Sequence, residues 1–147
     1  MQTTVDVAQL VSVIGDAVVV CDAAGAITLW NGAAQRIFGF SEAEALGQSL
    51  DLIIPQRLQQ RHWDGYRKTM ATGQTRYGSD LLKVPAVNKN GDTLSIAFTV
   101  ALLHDASGAV SGIAAVIRDE TARFQQERDL RKRLTELEAR AGAGAGA

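Results

Sequence analysis

Apolar and polar residues follow two different periods along this chain, and the change of period marks its elements. Near the N-terminus, apolar residues at helical spacing over residues 5–15 predict a short amphipathic helix that ends at Gly15. Two β-branched runs follow, at residues 17–22 and 26–30, and the turn-forming residues 22–25 lie between them. This arrangement predicts a β-hairpin.

The segment after the hairpin has the spacing of short helices. A first helix is predicted to begin at Gly32 and to end at Gly39. Ser41 and Glu44 form the capping box of a second helix, which is predicted to end at Gly47.

A longer helix follows these two short ones. Pro55 suits the first turn of this helix, which is predicted to run to Thr72 and to end at Gly73.

The C-terminal half contains three extended segments, at residues 77–87, 93–103 and 108–118. The turn-rich residues 88–92 and 105–108 join them, which predicts two further hairpins. Pro85 indicates that the first of these strands is an edge strand or carries a bulge. Because two strands precede the helices and three follow, we predict an α+β fold, with a five-stranded antiparallel sheet and helices on one face.

Residues 119–141 contain neither glycine nor proline and predict a long exit helix. A narrow apolar seam with 4-3-4 spacing runs along it, formed by Leu130, Leu134, Leu137 and Ala141. This seam indicates either a coiled coil or a solvated helix that packs one face on its own domain. The chain therefore divides into a cap helix, a central domain, the exit helix and a flexible tail, at residues 1–15, 16–118, 119–141 and 142–147.

Composition narrows the classes of function. A length of 147 residues suits one domain, and a formal net charge of -1 argues against a nucleic-acid partner, which favours excess Lys and Arg. The single cysteine, Cys21, rules out an internal disulfide and a multi-cysteine metal site. No apolar run reaches the roughly 20 residues that cross a bilayer, and residues 1–9 lack a secretion signal. We therefore expect a cytoplasmic protein without a membrane segment.

The helix at residues 55–73 carries the candidate chemistry. One of its faces is predicted to consist of Leu58, His62, Gly65, Tyr66 and Thr69. Gly65 costs the helix about 1 kcal/mol relative to alanine, which makes sense if a flat, bulky group approaches there. A neutral imidazole on a helix beside an apolar slot is a common ligand of haem iron, although a single inward histidine is more often a packed core residue.

The order of elements and several motifs resemble the PAS domains, over about residues 12–121. The motifs that carry the resemblance are Asp22-Ala23-Ala24-Gly25, Trp30-Asn31, Phe38-Gly39-Phe40-Ser41, Asn88-Lys89-Asn90-Gly91 and Arg118-Asp119-Glu120-Thr121. The last motif is similar to the segment with which PAS domains usually continue into a signalling helix. The resemblance implies the PAS fold, whose members bind haem, flavins, small acids or nothing, so the function is inferred from the site. Trp30 and Asn31 are expected to be structural residues at the strand-to-helix junction.

The segment 55–73 also resembles the haem-binding PAS domains of the rhizobial oxygen-sensor kinase (the FixL type) and of bacterial oxygen sensors that control cyclic di-GMP. In those families a proline lies seven residues before the iron-ligating histidine and a glycine lies eleven after it. Pro55, His62 and Gly73 reproduce both spacings. The resemblance implies a haem b cofactor with His62 as the metal ligand. Lys68 and Arg76 are then the candidates to pair with the haem propionates.

In those oxygen sensors an arginine on the next strand hydrogen-bonds bound oxygen. The equivalent residue here is Leu82, or Leu81 if one residue is skipped. Since a leucine donates no hydrogen bond, we expect CO or NO to be favoured over O2 as the diatomic gas ligand. Asp80 is a candidate sixth ligand, and Tyr77 and Trp63 are alternative donors. The other predicted pocket residues are the apolar strand positions Ile96, Phe98, Val100, Ile113, Ala115 and Ile117.

Two hypotheses remain open. In the first, a haem sensor detects a gas or a redox state, and the exit helix of a homodimer relays the signal to a downstream signalling domain or protein. In the second, His62 is structural, and the domain dimerises or binds a small metabolite without haem. A flavin photosensor is not expected, because Cys21 does not lie at the position of the photoreactive cysteine of light-sensing PAS domains. An enzyme is not expected either, because His104, Asp105 and Ser107 are too local to form a triad.

Overall fold

The computed structural model describes residues 4–75 and 80–145, and within them one sheet of five strands lies beside five α-helices. The strands are β1 (Ala17–Asp22), β2 (Ile27–Trp30), β3 (Leu82–Val87), β4 (Thr93–His104) and β5 (Val110–Asp119). The helices are α1 (Val7–Val13), α2 (Gly32–Phe38), α3 (Glu42–Ala45), α4 (Gln56–Thr72) and α5 (Thr121–Ala145), with a 3₁₀ turn at Leu50–Ile53. The strand order is β2-β1-β5-β4-β3, every pair being antiparallel. The predicted fold class is therefore confirmed.

The helices between β2 and β3 pack on one face of the sheet, called the inner face below. The strand residues of this core are Ala17, Val19, Cys21, Ile27, Trp30, Ala86, Leu94, Ile96 and Ile117, with Phe98, Ile113 and Ala115 packed against them. The opposite, outer face carries exposed apolar side chains. Val116 and Leu103 on that face are 41% exposed each.

Asn31 joins three elements, as expected for a structural residue. It is 6% exposed, and its side-chain oxygen accepts hydrogen bonds from the main-chain N–H groups of Val18 at 2.9 Å and Ala34 at 3.1 Å. Its amide nitrogen donates to the carbonyl oxygens of Val11 at 2.8 Å and Asp16 at 3.1 Å. Asn31 therefore caps α2 and fastens α1 and β1 to it.

The predicted ends of the short helices are mostly confirmed. Gly39 takes a left-handed conformation at φ +83° and ends α2, and the capping box of Ser41 and Glu44 is formed. Helix α3 ends at Ala45, before the predicted Gly47. The 3₁₀ turn was not predicted, because a single turn shows too little periodicity to be found in a sequence.

Several elements differ in length from the prediction. Helix α1, predicted over residues 5–15, covers Val7–Val13. Strand β3 begins at Leu82, and residues 77–79 of the predicted strand lie outside the described residues. Helix α5 continues to Ala145, whereas a flexible tail was predicted from residue 142. Alanine has the highest helix propensity, and it offsets the alternating glycines of this segment.

Candidate ligand-binding site on helix α4

The buried stripe of α4 is centred on Tyr66, which is 7% exposed. Trp63 and Met70 are half-buried and pack against the same core. At about 100° per residue, His62 lies about 40° from Tyr66 around the helix, at the edge of this stripe. The observed buried face is therefore rotated toward Trp63 relative to the predicted face.

This rotation changes the role of three predicted site residues. Leu58 and Thr69 are half-buried at the margin of the stripe. Gly65 is exposed, and a Cβ added there would meet nothing within 4 Å. The space beside Gly65 is therefore open, and the close approach of a flat group there stays a prediction.

Two aromatic side chains fasten α4 to the turn between β1 and β2. The Tyr66 hydroxyl donates a hydrogen bond to the carbonyl oxygen of Asp22. The Trp63 indole lies against Gly25, where a Cβ would overlap its six-membered ring, and Gly25 also has a φ of +88°. The indole N–H donates to Oδ1 of Asp51 at 2.6 Å. Neither Asp51 nor the packing role of Gly25 was predicted from the sequence, because both contacts join residues far apart in the chain.

His62 is half-buried between these aromatic rings. Its ring centroid lies 4.5 Å from that of Trp63, edge to face, and 5.9 Å from that of Tyr66. Among the described residues, its Nδ1 is the one buried side-chain nitrogen or oxygen without a hydrogen-bond partner. Burial lowers the pKa of His62, and the nearby Asp51 carboxylate partly opposes this effect. The ring is therefore neutral at pH 7, the form that ligates a metal ion.

The predicted apolar wall lies on the inner face of the sheet. Ile96 is buried, whereas Leu82, Phe98, Ile113 and Ala115 are half-buried on that face. Val84, which pairs with Ile96 in the sheet, is 39% exposed. The helices thus leave part of the apolar inner face uncovered, which is the kind of surface that an apolar ligand covers.

Leu81 does not belong to this wall. It is 57% exposed and lines an outer cleft of about 220 Å³ together with Ala97, Thr99 and Val116. Successive residues of a strand point to opposite faces, so only one of the two neighbouring leucines can face inward. Pairing of Leu82 with Phe98 assigns that position to Leu82.

The described candidates for a polar partner near the wall are either exposed or already engaged. The indole N–H of Trp63, predicted as an alternative donor, is taken by Asp51. Lys68 and Asp80 are exposed, and Arg67 forms an exposed ion pair with Asp64 at 2.7 Å. Arg76 and Tyr77 lie outside the described residues.

A single histidine supplies too few ligands for a bare metal ion. Within residues 4–75 and 80–145, no three His, Cys, Asp or Glu side chains are grouped so that they could hold a metal ion. Haem iron needs only axial ligands from the protein, because the porphyrin supplies four nitrogens. An unpartnered imidazole beside an incompletely covered apolar wall therefore fits haem better than a bare ion.

The thiol of Cys21 has no sign of reactivity. Burial, assisted by the nearby Asp22 carboxylate, raises the pKa of Cys21 to about 12. The thiol is therefore protonated at neutral pH and lacks the thiolate that reactive cysteines use. Cys21 is buried on β1 and packs as a small apolar residue, as predicted.

Comparison with known proteins identifies the family. A family model described as the PAS fold matches residues 6–119. The chain belongs to the PAS family. Within the described part of this PAS domain, no helix has the length and apolar character needed to span a membrane.

Two relatives match most of the chain. An uncharacterized protein of Azorhizobium caulinodans is 32% identical over 118 residues, which cover 80% of this chain and 16% of that protein. Sensor protein FixL of Bradyrhizobium diazoefficiens is 30% identical over 125 residues, which cover 84% of this chain and 24% of that protein. The chain thus spans less than a third of the length of either relative, and the predicted resemblance to FixL is supported.

Solved structures show the same fold at lower identity. The PAS domain of a protein from Colwellia psychrerythraea has a TM-score of 0.68 at 20% identity, covering 78% of this chain and 94% of that one. An RNA-binding Light-Oxygen-Voltage receptor has a TM-score of 0.68 at 15% identity, covering 92% of this chain and 41% of that one. At these identities the likeness concerns the fold alone.

Proposed function

We propose that this PAS domain is a haem-b-binding sensor module that detects a diatomic gas or a redox state. The observation that carries the proposal is His62, a neutral imidazole at the edge of the buried stripe whose Nδ1 is buried without a partner. A single imidazole is what haem iron requires of its protein. The 30% sequence identity with Sensor protein FixL and the spacing of Pro55, His62 and Gly73 support the same cofactor.

The residues of the chain would divide the binding between them. Haem, when bound, supplies an iron that takes up diatomic gases and changes redox state. His62 would hold the iron, and the apolar wall at Leu82, Phe98 and Ile113 would cover the macrocycle. Exposed Lys68, with Arg76, would pair with the propionates at the solvent edge.

The wall also bears on the choice of gas. The wall residues Leu82, Phe98 and Ile113 are hydrocarbon, and the nearby indole N–H of Trp63 and phenol O–H of Tyr66 are engaged by Asp51 and Asp22. Bound O2 carries negative charge and is stabilised by a donor, whereas CO depends on one much less. We therefore expect CO or NO to be favoured over O2.

Helix α5 is the proposed relay. The apolar seam along it is exposed, with Leu130 66%, Leu134 55% and Leu137 50% exposed. Such a seam is stabilised by a second helix, so we expect a homodimer that passes the signal to a downstream domain or protein. A shift of β5, which leads into α5, would then change the arrangement of the two helices.

Haem titration tests the proposal. Purified chain reconstituted with hemin is expected to show a sharp Soret band with saturable binding. His62→Ala is expected to abolish or strongly weaken this binding, and His104→Ala is the matched control, since His104 is the only other imidazole. Equal affinity of wild type and His62→Ala would contradict the assignment of the ligand.

A haem-free interaction module is the second candidate. The observation that favours it is the ring packing of His62 against Trp63 and Tyr66, which is how a structural histidine also packs. This candidate predicts no saturable Soret band in the wild type, and it predicts lower stability of His62→Ala without any cofactor.

The dimer has its own test. Leu134→Glu places a charge in the seam and is expected to lower the molecular mass measured by sedimentation. Lys132→Glu, which changes a residue outside the seam, is the control and is expected to leave the mass unchanged. A monomeric wild type would remove α5 as the site of association.

A further inference from the structure

The indole of Trp63 is fixed by a hydrogen bond at its N–H group and by a packing contact at its six-membered ring. Its N–H donates to the Asp51 carboxylate at 2.6 Å, a short, charge-assisted hydrogen bond. Its six-membered ring lies against Gly25, where any side chain would occupy the same space. The Trp63 ring is therefore fixed between the 3₁₀ turn and the turn that joins β1 to β2.

The same indole packs against one side of the His62 imidazole. Neighbouring residues on a helix point about 100° apart and do not normally face each other. Nevertheless the His62 and Trp63 ring centroids lie 4.5 Å apart, edge to face. Tyr66, one turn further on, lies 5.9 Å from His62 and 5.2 Å from Trp63. The imidazole is thus bounded by two rings that are both fastened to the turn after β1.

The imidazole makes no hydrogen bond of its own. Its Nδ1 is buried without a partner, so no polar contact from the described residues fixes its rotation. Two aromatic rings lie against it, and of these two only Trp63 hydrogen-bonds a charged group.

We propose that Trp63, anchored by Asp51 and seated against Gly25, is a positioning residue that fixes the orientation of the His62 imidazole. The orientation can be measured without any cofactor. Its consequence for haem rests on the proposed function, since groups that orient a metal-ligating histidine typically change metal affinity by roughly 10–100-fold.

The test compares two substitutions of Asp51 in the haem-free chain. Asp51→Ala removes the acceptor, whereas Asp51→Asn removes the charge but keeps an amide oxygen that accepts the indole N–H. Asp64→Ala, which removes an exposed acid that pairs with Arg67, is the matched control. Proton NMR at a pH where imidazoles are neutral follows His62, with His104 as the internal reference because the chain has two histidines.

In the wild type we expect imidazole–indole cross-peaks and His62 shifts displaced by ring currents. Asp51→Ala is expected to lose the cross-peaks and to move the His62 shifts toward those of His104, while Asp51→Asn and Asp64→Ala keep the wild-type signature. Wild-type signals in Asp51→Ala would overturn the proposal. Loss of the cross-peaks in Asp51→Asn as well would overturn it too, because the hydrogen bond would then not be the anchor.

Haem titration of the same variants separates this proposal from the proposed function. If haem binds, Asp51→Ala is expected to weaken its affinity by roughly 10–100-fold, with Asp51→Asn near the wild type. If the wild type binds no haem but the NMR signature follows the anchor, the positioning role stands and the haem function fails.

Discussion

The hydroxyl oxygen of Thr121 accepts a hydrogen bond from the main-chain N–H of Ser95 at 3.0 Å, which joins the first residue of α5 to β4. The main-chain N–H of Glu120 donates to the Ser95 carbonyl at 2.8 Å, beside the first bond. Asp119 accepts from the N–H of Thr121 at 2.9 Å and from its hydroxyl at 2.5 Å. The exit helix is therefore attached to the sheet by its first residue.

Thr121→Val keeps the shape of this residue and removes both hydroxyl bonds. We expect the free energy of unfolding to fall by about 1–2 kcal/mol, because the N–H of half-buried Ser95 loses its partner. Urea unfolding measures the loss. Thr135→Val, whose hydroxyl bonds only the Arg131 carbonyl of its own helix, is the control and is expected to change stability by less than about 0.5 kcal/mol. Equal effects at the two positions would contradict the attachment.

Leu82→Arg, in the haem-loaded protein, places a donor on the inner wall. A hydrogen bond to a charged group contributes about 1.5–3 kcal/mol, so we expect O2 affinity relative to CO to rise about tenfold or more. Gas titration followed by absorption measures the ratio. Leu81→Arg is the matched control, since Leu81 lies on the outer face and is expected to leave the ratio unchanged. An equal change of the O2-to-CO affinity ratio in the two variants would show that the ratio does not depend on which face of the sheet carries the arginine.

These two leucines also show where sequence reasoning reaches its limit. Periodicity and turn chemistry are local, so the strands, the helix ends at Gly39 and Gly73 and the capping box of Ser41 could be predicted. Which of two adjacent leucines faces inward depends on the partner strand, which lies outside the local pattern. The spacing from His62 gives Leu82 without a gap and Leu81 with a gap of one residue, and the pairing of Leu82 with Phe98 is what places Leu82 on the inner face.

The candidate site was predicted less completely for the same reason. The apolar pattern of α4 predicts His62 and Tyr66 on one inward face together with Gly65, whereas Gly65 is exposed and Trp63 is half-buried. The contacts of Trp63 with Gly25 and Asp51 account for this difference, and they join three separate parts of the chain. A long-range contact of this kind leaves no periodic signal in a single sequence.

Gly112→Ala tests the contact between β1 and β5. A Cβ at Gly112 would lie 2.5 Å from the carbonyl oxygen of Cys21, a main-chain atom that cannot move without opening the strand pair. We expect a loss of about 2 kcal/mol or more in the free energy of unfolding, measured by urea denaturation. Gly65→Ala is the contrasting variant: open space there predicts a gain of about 0.5–1 kcal/mol. A similar loss for both glycines would be inconsistent with this packing.

Asn31→Asp tests the fastening of α1. The substitution replaces the amide donor with a carboxylate oxygen that would face the carbonyl oxygens of Val11 and Asp16. Because the site is buried, we expect a loss of about 3 kcal/mol and faster hydrogen exchange of α1 than of the sheet. Asn90→Asp, in an exposed turn, is the control. Unchanged exchange in α1 would show that Asn31 does not hold it.

Glu44 is expected to make the free energy of unfolding of the domain depend on pH in the acidic range. Its carboxylate accepts from Lys89 Nζ at 2.5 Å and from the N–H of Ser41 at 2.9 Å, and these contacts lower its pKa from 4.5 to about 2. An unfolded chain binds this proton near pH 4.5, whereas the folded chain binds it only near pH 2. The contribution is therefore complete above pH 4.5 and is lost as the pH falls toward 2.

Thermal unfolding of wild type and Glu44→Gln measures this effect. The wild type is expected to have the higher midpoint near neutral pH, and the difference is expected to shrink as the pH falls from 4.5 toward 2. Because Glu44 and Lys89 are exposed, the advantage is expected to be small and to decrease with added salt. Glu42→Gln is the control, since the Glu42 side chain makes no hydrogen bond within the described residues. A difference between wild type and Glu44→Gln that stays constant with pH would mean that the Lys89 and Ser41 contacts do not favour the ionised carboxylate.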